Sequence, residues 1–333
     1  MKALVKTEVR NEFRIENRDI PKLSRDELLI KVEYCGICGS DLHAASHAKG
    51  YEFVPKPIIL GHEFSGLVVE VGSEENKQLL KKRVIIVPGN FCGECEQCKS
   101  GKENICLNIV GIGLHHDGGM AEYVKVASNQ IIMIPDELPF EIASLAEPLS
   151  VAIHAVEQIG GDLKGKKVLV QGCGIIGMFT AIIAKNIGAD VTISGLQKDW
   201  EHRLSLAELF DIKSEIFENN ENNHEKFDYI YECSGSSIAT ENAAERLNKG
   251  GILILVALYE QKVELPMNLI VRSEINVLSS YASTIKDFYS AIDVLQNNQS
   301  NIGKLIRIYS LDDGKQAFDD ALNQKVLKPV LKI

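Results

Sequence analysis

The chain has 333 residues, 45% apolar and 25% charged, a composition that excludes a disordered chain and suggests roughly two domains. Its 46 acidic and 36 basic side chains leave a net charge of −10, which argues against a nucleic-acid partner. The longest clean apolar run, Ile252 to Leu258, is far short of the ~20 residues that cross a bilayer, and Met1 to Lys6 lacks the apolar core of a signal peptide. No membrane partner is therefore expected, and the expected compartment is the cytoplasm, where eight cysteines serve better as metal ligands or buried thiols than as disulfides.

The first 150 residues read as short strands and turns. Leu28 to Val32, Leu67 to Val71 and Val84 to Val87 are strand-length runs, separated by breaks at Gly36, Gly39, Pro55, Pro57, Gly61 and Pro88-Gly89. After about Leu149 strands and helices alternate. Val168 to Gln171 is a strand, Met178 to Ile187 a helix closed by Gly188, and Val191 to Ser194 a strand. Trp200 to Phe210 reads as a helix, Phe227 to Glu232 as a strand, Ile238 to Leu247 as a helix ended by Gly250-Gly251, and Ile252 to Ala257 as a strand. This alternation implies βαβ units and a parallel sheet covered on both faces, an α/β fold. Glu218 to Lys226 is a polar stretch too short for an ordinary parallel crossover, so a shortened or helix-free connection is expected there. A helix over Lys286 to Leu295 precedes a mixed tail that pattern alone assigns to neither domain.

Three constellations carry chemistry. Cys38-Gly39-Ser40-Asp41-Leu42-His43 lies at a strand-to-helix turn, with Gly61-His62-Glu63 further on. Cys38 and His62 are a donor pair suited to zinc, Glu63 or Glu147 could add a carboxylate, and one position would stay open, as in catalytic sites. Asp41 is suited to hold an imidazole ligand such as His62 from behind. Taken alone each piece is weak, since a lone cysteine is more often a buried apolar residue. The second constellation, Cys92, Cys95, Cys98 and Cys106, gives C-x2-C-x2-C-x7-C. Four thiolates close a tetrahedral zinc shell with no place for substrate, so that metal is structural.

The third is Gly172-Cys173-Gly174-Ile175-Ile176-Gly177, a G-x-G-x-x-G loop between a strand and a helix, the context in which it cradles a dinucleotide pyrophosphate. A carboxylate for the adenosine ribose is expected at the end of the next strand, but that strand ends in Ser194-Gly195, followed by Lys198, Asp199, His202 and Arg203. Loss of the acid removes repulsion of a 2′-phosphate, and the cations could pair with one, so NADP is as credible as NAD.

Together these motifs, with Gly61 to Gly66 and Asp117-Gly118-Gly119-Met120-Ala121-Glu122-Tyr123, resemble the zinc-dependent medium-chain dehydrogenase/reductase superfamily over essentially the whole chain. Glu147 to Ala155 looks like the sorbitol-type polyol dehydrogenases, whereas Gly195 to Leu204 and Met1 to Val9 look like the arabitol-phosphate dehydrogenases. The resemblance implies a GroES-like, mainly β catalytic domain over residues 1–149 and 280–333, with a structural-zinc lobe at 90–107, and a Rossmann doubly wound parallel-sheet domain over 150–279. It implies two zinc ions per chain, NAD or NADP, and a catalytic zinc held by Cys38, His62 and a carboxylate, with Glu63 and Glu147 both candidates. Ser40 and then His43 are the implied proton relay. Gly172, Gly174, Ile175, Ile176, Gly177, Gly195, Lys198, Arg203 and Arg272 are the implied cofactor contacts. Tyr51, His47 and Lys56 are candidates to line the substrate pocket. The implied reaction is oxidation of a secondary hydroxyl of a polyol or polyol phosphate to the ketone. Another secondary alcohol, of the L-threonine or 2,3-butanediol type, and a non-catalytic nucleotide-binding protein are the alternatives. A homodimer or homotetramer, assembled through sheet edges near Ile252 to Val256, is the implied assembly.

Overall fold

The computed structural model describes residues 1–217 and 225–333. The chain forms two units, Met1–Pro148 with Thr284–Ile333, and Leu149–Ser283. No helix among the described residues is long and apolar enough to cross a membrane.

The first unit is mainly β. Its largest sheet runs in the order Ile131–Met133, Arg83–Ile86, Glu63–Val71, Glu27–Gly36, Lys328–Lys332 and Ile306–Ser310, with Tyr123–Ala127 also paired to Glu27–Gly36. The long Glu27–Gly36 strand buries Leu28, Leu29, Ile30 and Val32 and leaves Lys31 exposed, with irregular register at Leu29/Ile30 and Val32/Tyr34. A smaller sheet joins Phe13–Asn17, Lys2–Lys6 and Ile58–Ile59. Leu4, Phe64, Val68, Ile86, Met120 and Phe318 belong to the core of this unit. The tail that the sequence pattern leaves unassigned is part of this unit. Lys328–Lys332 pairs antiparallel with Glu27–Gly36, with Val330 opposite Gly36.

The second unit is a six-stranded parallel sheet in the order Lys213–Ile216, Asp190–Gly195, Lys167–Gln171, Phe227–Glu232, Leu247–Leu255 and Asn276–Ser279. Numbered along the chain this is 3-2-1-4-5-6, the doubly wound order whose strand reversal opens a crevice for a dinucleotide. The central strands Lys167–Gln171 and Asp190–Gly195 are buried along almost their whole length because both faces are covered.

Three expectations need correction. Trp200 to Phe210 is not an α-helix. Arg203 adopts φ −139°, ψ −63°, which breaks the helical run, and only a 3₁₀ stretch, Leu204–Phe210, follows. The helix Ser237–Arg246 is not ended by Gly250-Gly251. The buried Leu247 starts the next strand at once, and Gly250 (φ +75°) lies inside that strand where the register shifts. Ile252 to Leu255 is no sheet edge, because Phe227–Glu232 and Asn276–Ser279 flank it; the edge on that side is Asn276–Ser279. The Glu218 to Lys226 connection falls mostly outside the described residues.

Candidate functional site

Two neighbouring loops of the first unit bring the metal-binding side chains together. Cys38 follows the Glu27–Gly36 strand and caps the helix Gly39–Ala45, while His62 and Glu63 open the strand Glu63–Val71, paired with Glu27–Gly36 so that Glu63 faces Gly36. Gly61 makes this approach possible. It sits at φ +98°, and a Cβ there would come within 2.6 Å of Cys35 Sγ and 2.8 Å of Met120 Cγ. The Asp117 to Met120 motif forms the bed under this turn. Gly118, Gly119 and Met120 donate backbone N–H groups to Ile59, Gly61 and Leu60, and Asp117 Oδ1 accepts from Ile59 N–H at 2.9 Å.

Cys38, His62 and Glu63 each offer a donor atom, and the three atoms lie within 4.8 Å of one another. That group takes in Glu63 and not Glu147. His62 is 6% exposed and Glu63 1%. Asp41, fully buried, ties the cluster together. Its Oδ2 accepts from Cys38 N–H at 2.9 Å, and its Oδ1 accepts from Gly61 N–H at 3.3 Å and lies 3.5 Å from His62 Nδ1. Burial works against a charged His62, but Asp41 and Cys38 outweigh it and hold the imidazole pKa well above its usual value. Ser40 Oγ stands 3.3 Å from His62 Nε2. His43, one turn on along the same helix face, stacks on Tyr51 at 5.4 Å between ring centroids. Burial pushes the Glu147 carboxyl up to about 7, reinforced by Glu63 and opposed by His62 and Lys328.

The structure adds a residue that the sequence reading missed. Lys328, 265 positions after Glu63 and 1% exposed, ion-pairs with Glu63 Oε2 and donates to Ile37 O at 2.8 Å. Burial disfavours its charge, but Glu63 and Cys38 outweigh this and hold its pKa above the usual lysine value. The other oxygen, Glu63 Oε1, is buried without a hydrogen-bond partner. A buried carboxylate oxygen without a partner is costly, and a cation is the partner that thiolate, imidazole and carboxylate together suit. The residues present therefore fit a zinc ion.

The four cysteines fit a second. Cys92–Cys106, Cys95–Cys106 and Cys92–Cys98 have Sγ–Sγ separations of 3.5, 3.9 and 4.0 Å. Zn–S bonds of about 2.3 Å place tetrahedral ligands about 3.8 Å apart. Backbone N–H groups point at the sulfurs, from Cys95 to Cys92, from Cys98 to Cys95, and from Cys92 and Asn108 to Cys106, at 3.4–3.5 Å. Such donors favour thiolates, and those of Cys98 and Leu107 pull Cys95 down to about 6.

In the second unit the glycine loop connects Lys167–Gln171 to the helix Ile175–Asn186. Gly172 turns at φ +99°, where a Cβ would meet Ser234 at 2.8 Å, and a Cβ on Gly177 would strike the Gly172 carbonyl. A Cβ on Gly174, the helix N-cap, would meet nothing within 4 Å. The open space lies at the N-terminus of a 12-residue helix, where the first-turn N–H groups of Ile175, Ile176 and Gly177 have no carbonyl in the helix to bind, so a pyrophosphate fits this cradle. Glu232, fully buried, steadies the Ser234 turn that Gly172 packs on. It accepts from Ser234 N–H at 2.8 Å, Gly235 N–H at 3.2 Å and Tyr259 O–H at 2.6 Å. Gly195 ends the neighbouring strand, Arg203 is partly buried, and Lys198 and Arg272 are exposed.

Residues 24–136 match the family model described as the alcohol dehydrogenase GroES-like domain, and residues 176–297 match that described as zinc-binding dehydrogenase. The chain is 34% identical over 326 residues to D-arabitol-phosphate dehydrogenase of Enterococcus avium, covering 94% of this chain and 92% of the relative. It is 30% identical over 330 residues to an L-threonine 3-dehydrogenase of Chelativorans sp., covering 96% and 94%. Among solved structures it is similar to one described as a zinc-binding dehydrogenase from Sinorhizobium meliloti 1021 bound to NADP. The TM-score is 0.90 at 30% identity, covering 100% of this chain and 99% of that one.

Proposed function

Since the chain belongs to the zinc-dependent medium-chain dehydrogenase/reductase family, we propose that it oxidises a secondary hydroxyl of a polyol, and most specifically of a polyol phosphate, to the ketone, with NAD or NADP as acceptor. The observation that carries this reading is the Cys38, His62 and Glu63 cluster, with one Glu63 oxygen held by Lys328 and the other lacking a partner. A zinc ion in such a donor set lowers the pKa of an alcohol and a nicotinamide dinucleotide accepts a hydride.

The remaining work falls to the chain. Cys38, His62 and Glu63 hold the ion, with Glu147 a second carboxylate beside them. Asp41 orients both Cys38 and His62 through its two oxygens. Ser40 Oγ takes the substrate proton and passes it toward solvent by way of His43, which Tyr51 stacks against and steadies. The glycine loop, Lys198, Arg203 and Arg272 hold the dinucleotide. The first unit is then the catalytic domain and the second the cofactor domain, and a homodimer or homotetramer is the assembly.

The phosphorylated class is supported by the 34% identity to D-arabitol-phosphate dehydrogenase. Lys6 is 1% exposed, and its Nζ lies 3.2 Å from His47 Nε2. Burial, then Lys6, Lys56 and Arg10, hold His47 below its usual value, and burial with Lys56 does the same to Lys6. Lys6 Nζ also donates to Thr7 O at 2.5 Å and Val9 O at 2.8 Å, so these two side chains are already committed to each other and to the backbone, and the phosphorylated class rests on the relative. The test is steady-state oxidation of sorbitol, arabitol, their phosphates, L-threonine and 2,3-butanediol, each with NAD and NADP. A polyol phosphate should give the highest kcat/KM. L-Threonine or 2,3-butanediol as the best substrate, or no turnover with any of them, refutes the reading.

A further inference from the structure

Glu232 is a fully buried carboxylate that no step of the proposed reaction uses. It ends the strand Phe227–Glu232, and its neighbours in the sheet are Lys167–Gln171 and Leu247–Leu255. The segments that leave these three strands are tied in series. Cys233 N–H donates to Gln171 O at 2.8 Å, and the N–H groups of Val256 and Ala257 donate to Glu232 O at 2.9 and 3.1 Å. Ser234 packs on Gly172, where a Cβ would come within 2.8 Å of Ser234 Cα, and Gly235 packs on Leu258, whose carbonyl oxygen a Cβ would approach to 2.9 Å. The carboxylate joins the same segments through its side chain. Oε1 accepts from the Ser234 N–H and hydroxyl, and Oε2 accepts from Gly235 N–H at 3.2 Å and Tyr259 O–H at 2.6 Å.

We propose that Tyr259 is a positioning residue for the dinucleotide: by donating to Glu232 it holds the Ser234-Gly235 turn in place, and that turn sets the glycine loop for the pyrophosphate. This rests on the dinucleotide reading given above. The reasoning is a count of donors. Of the four hydrogen bonds to the carboxylate, three come from the turn itself, and only the phenol reaches it from the loop of another strand. Without the phenol, Oε2 keeps only the longer bond from Gly235. A fully buried carboxylate short of a donor is costly, so it moves toward the donors that remain, and the turn moves with it. Gly172 has no slack to absorb that movement, because it already packs on Ser234 as closely as a glycine can. Burial, then Glu232, hold the Tyr259 phenol above its usual pKa, so it stays a donor, and Thr240 Oγ1 stands 3.0 Å from the phenol oxygen.

The experiment titrates NADH and NADPH, by nicotinamide fluorescence, into the zinc-loaded wild type and the Tyr259→Phe, Glu232→Gln and doubly substituted proteins, and records the melting temperature of each without dinucleotide. Tyr259→Phe keeps the ring, so it should melt within about 4 °C of wild type. Its Kd for both dinucleotides should nevertheless rise about tenfold, the scale of one hydrogen bond to a charged group. In the Glu232→Gln background the same substitution should change Kd by less than about twofold, because the phenol acts through the carboxylate. Where Glu232→Gln does not fold, Glu232→Asp, which draws the carboxylate back from the phenol, takes its place. An unchanged Kd in Tyr259→Phe overturns the proposal whatever the melting temperature does, since the network is then structural alone. A tenfold loss that persists without the Glu232 carboxylate overturns it as well, since the phenol then meets the dinucleotide directly. Both outcomes leave the dinucleotide reading standing, whereas wild-type protein that binds neither dinucleotide overturns both.

Discussion

Replacing Lys328 with methionine removes one member of an ion pair whose side chains are each 1% exposed. Methionine keeps most of the lysine's apolar volume, so little cavity is added. What is lost is the ammonium that meets Glu63 Oε2 and the 2.8 Å hydrogen bond to Ile37 O. Glu63 is then a buried carboxylate whose Oε1 already lacks a hydrogen-bond partner. Breaking a buried pair from one side costs about 3–5 kcal/mol, against about 1 kcal/mol or less for an exposed pair. Urea unfolding of preparations matched for zinc content should therefore show Lys328→Met less stable than wild type by about 3–5 kcal/mol. Most of that loss comes from the stranded charge, so Lys328→Met combined with Glu63→Gln should be more stable than the sum of the two single losses predicts. A Lys328→Met loss below about 1 kcal/mol, or strict additivity in the double variant, would refute the view that these two charges depend on each other.

Three further outcomes follow from the two metal clusters. Cys38→Ala should stay folded by circular dichroism, lose one of two zinc ions by elemental analysis, and fall about a thousandfold or more in kcat/KM; full turnover in a verified one-zinc protein would remove the catalytic cluster from the scheme. Ser40→Ala should retain both ions and lose about a hundredfold in kcat, the lower range for a positioned proton-transfer group, and an unchanged kcat would take Ser40 out of the relay. Cys106→Ser, in the other cluster, should lose a zinc ion while keeping kcat in freshly prepared protein, and its cost should appear as a lower melting temperature and earlier aggregation. An immediate loss of kcat with melting unchanged would assign that metal to chemistry instead of structure.

Local patterns carried the parallel sheet well. The strands around Val168 to Gln171 and Phe227 to Glu232, and the helix between Gly174 and Gly188, are set by apolar runs and by glycines at φ near +100°, all of which act within a few residues. Most errors arose where a non-local partner decided. One error was local: Trp200 to Phe210 has helical periodicity, with Leu204 and Ala207 buried, but Asp199 caps back on Leu196 and Arg203 leaves the helical region, which shortens it to a 3₁₀ stretch. Gly250-Gly251 looks like a helix end because nothing in the local sequence reveals that Leu247 is already paired with Phe227. The tail could not be placed for the same reason, since its last strand is joined to this unit by pairing with Tyr34, Cys35 and Gly36 almost 300 residues earlier.

The site divides along the same line. Cys38, Asp41, His62 and Glu63 are legible because ligand types at close spacing, with a glycine at the tight turn, are rare without a purpose. Lys328 is illegible because one lysine in a mixed tail carries no pattern, although it governs how Glu63 is used. Its importance can be argued from charge. A thiolate from Cys38 and a carboxylate from Glu63 together cancel the charge of a divalent ion, which would leave the cluster with little pull on an anionic oxygen. Lys328 restores one positive charge inside the protein, where it is 1% exposed and where the local dielectric makes it count for more than a surface lysine would. The same pair fixes where the Glu63 carboxylate stands. Its Oε2 is anchored by Lys328 in the sheet register set by Lys328–Lys332 and Glu27–Gly36, so the Glu63 carboxylate is fixed beside Cys38 and His62 before any ion arrives.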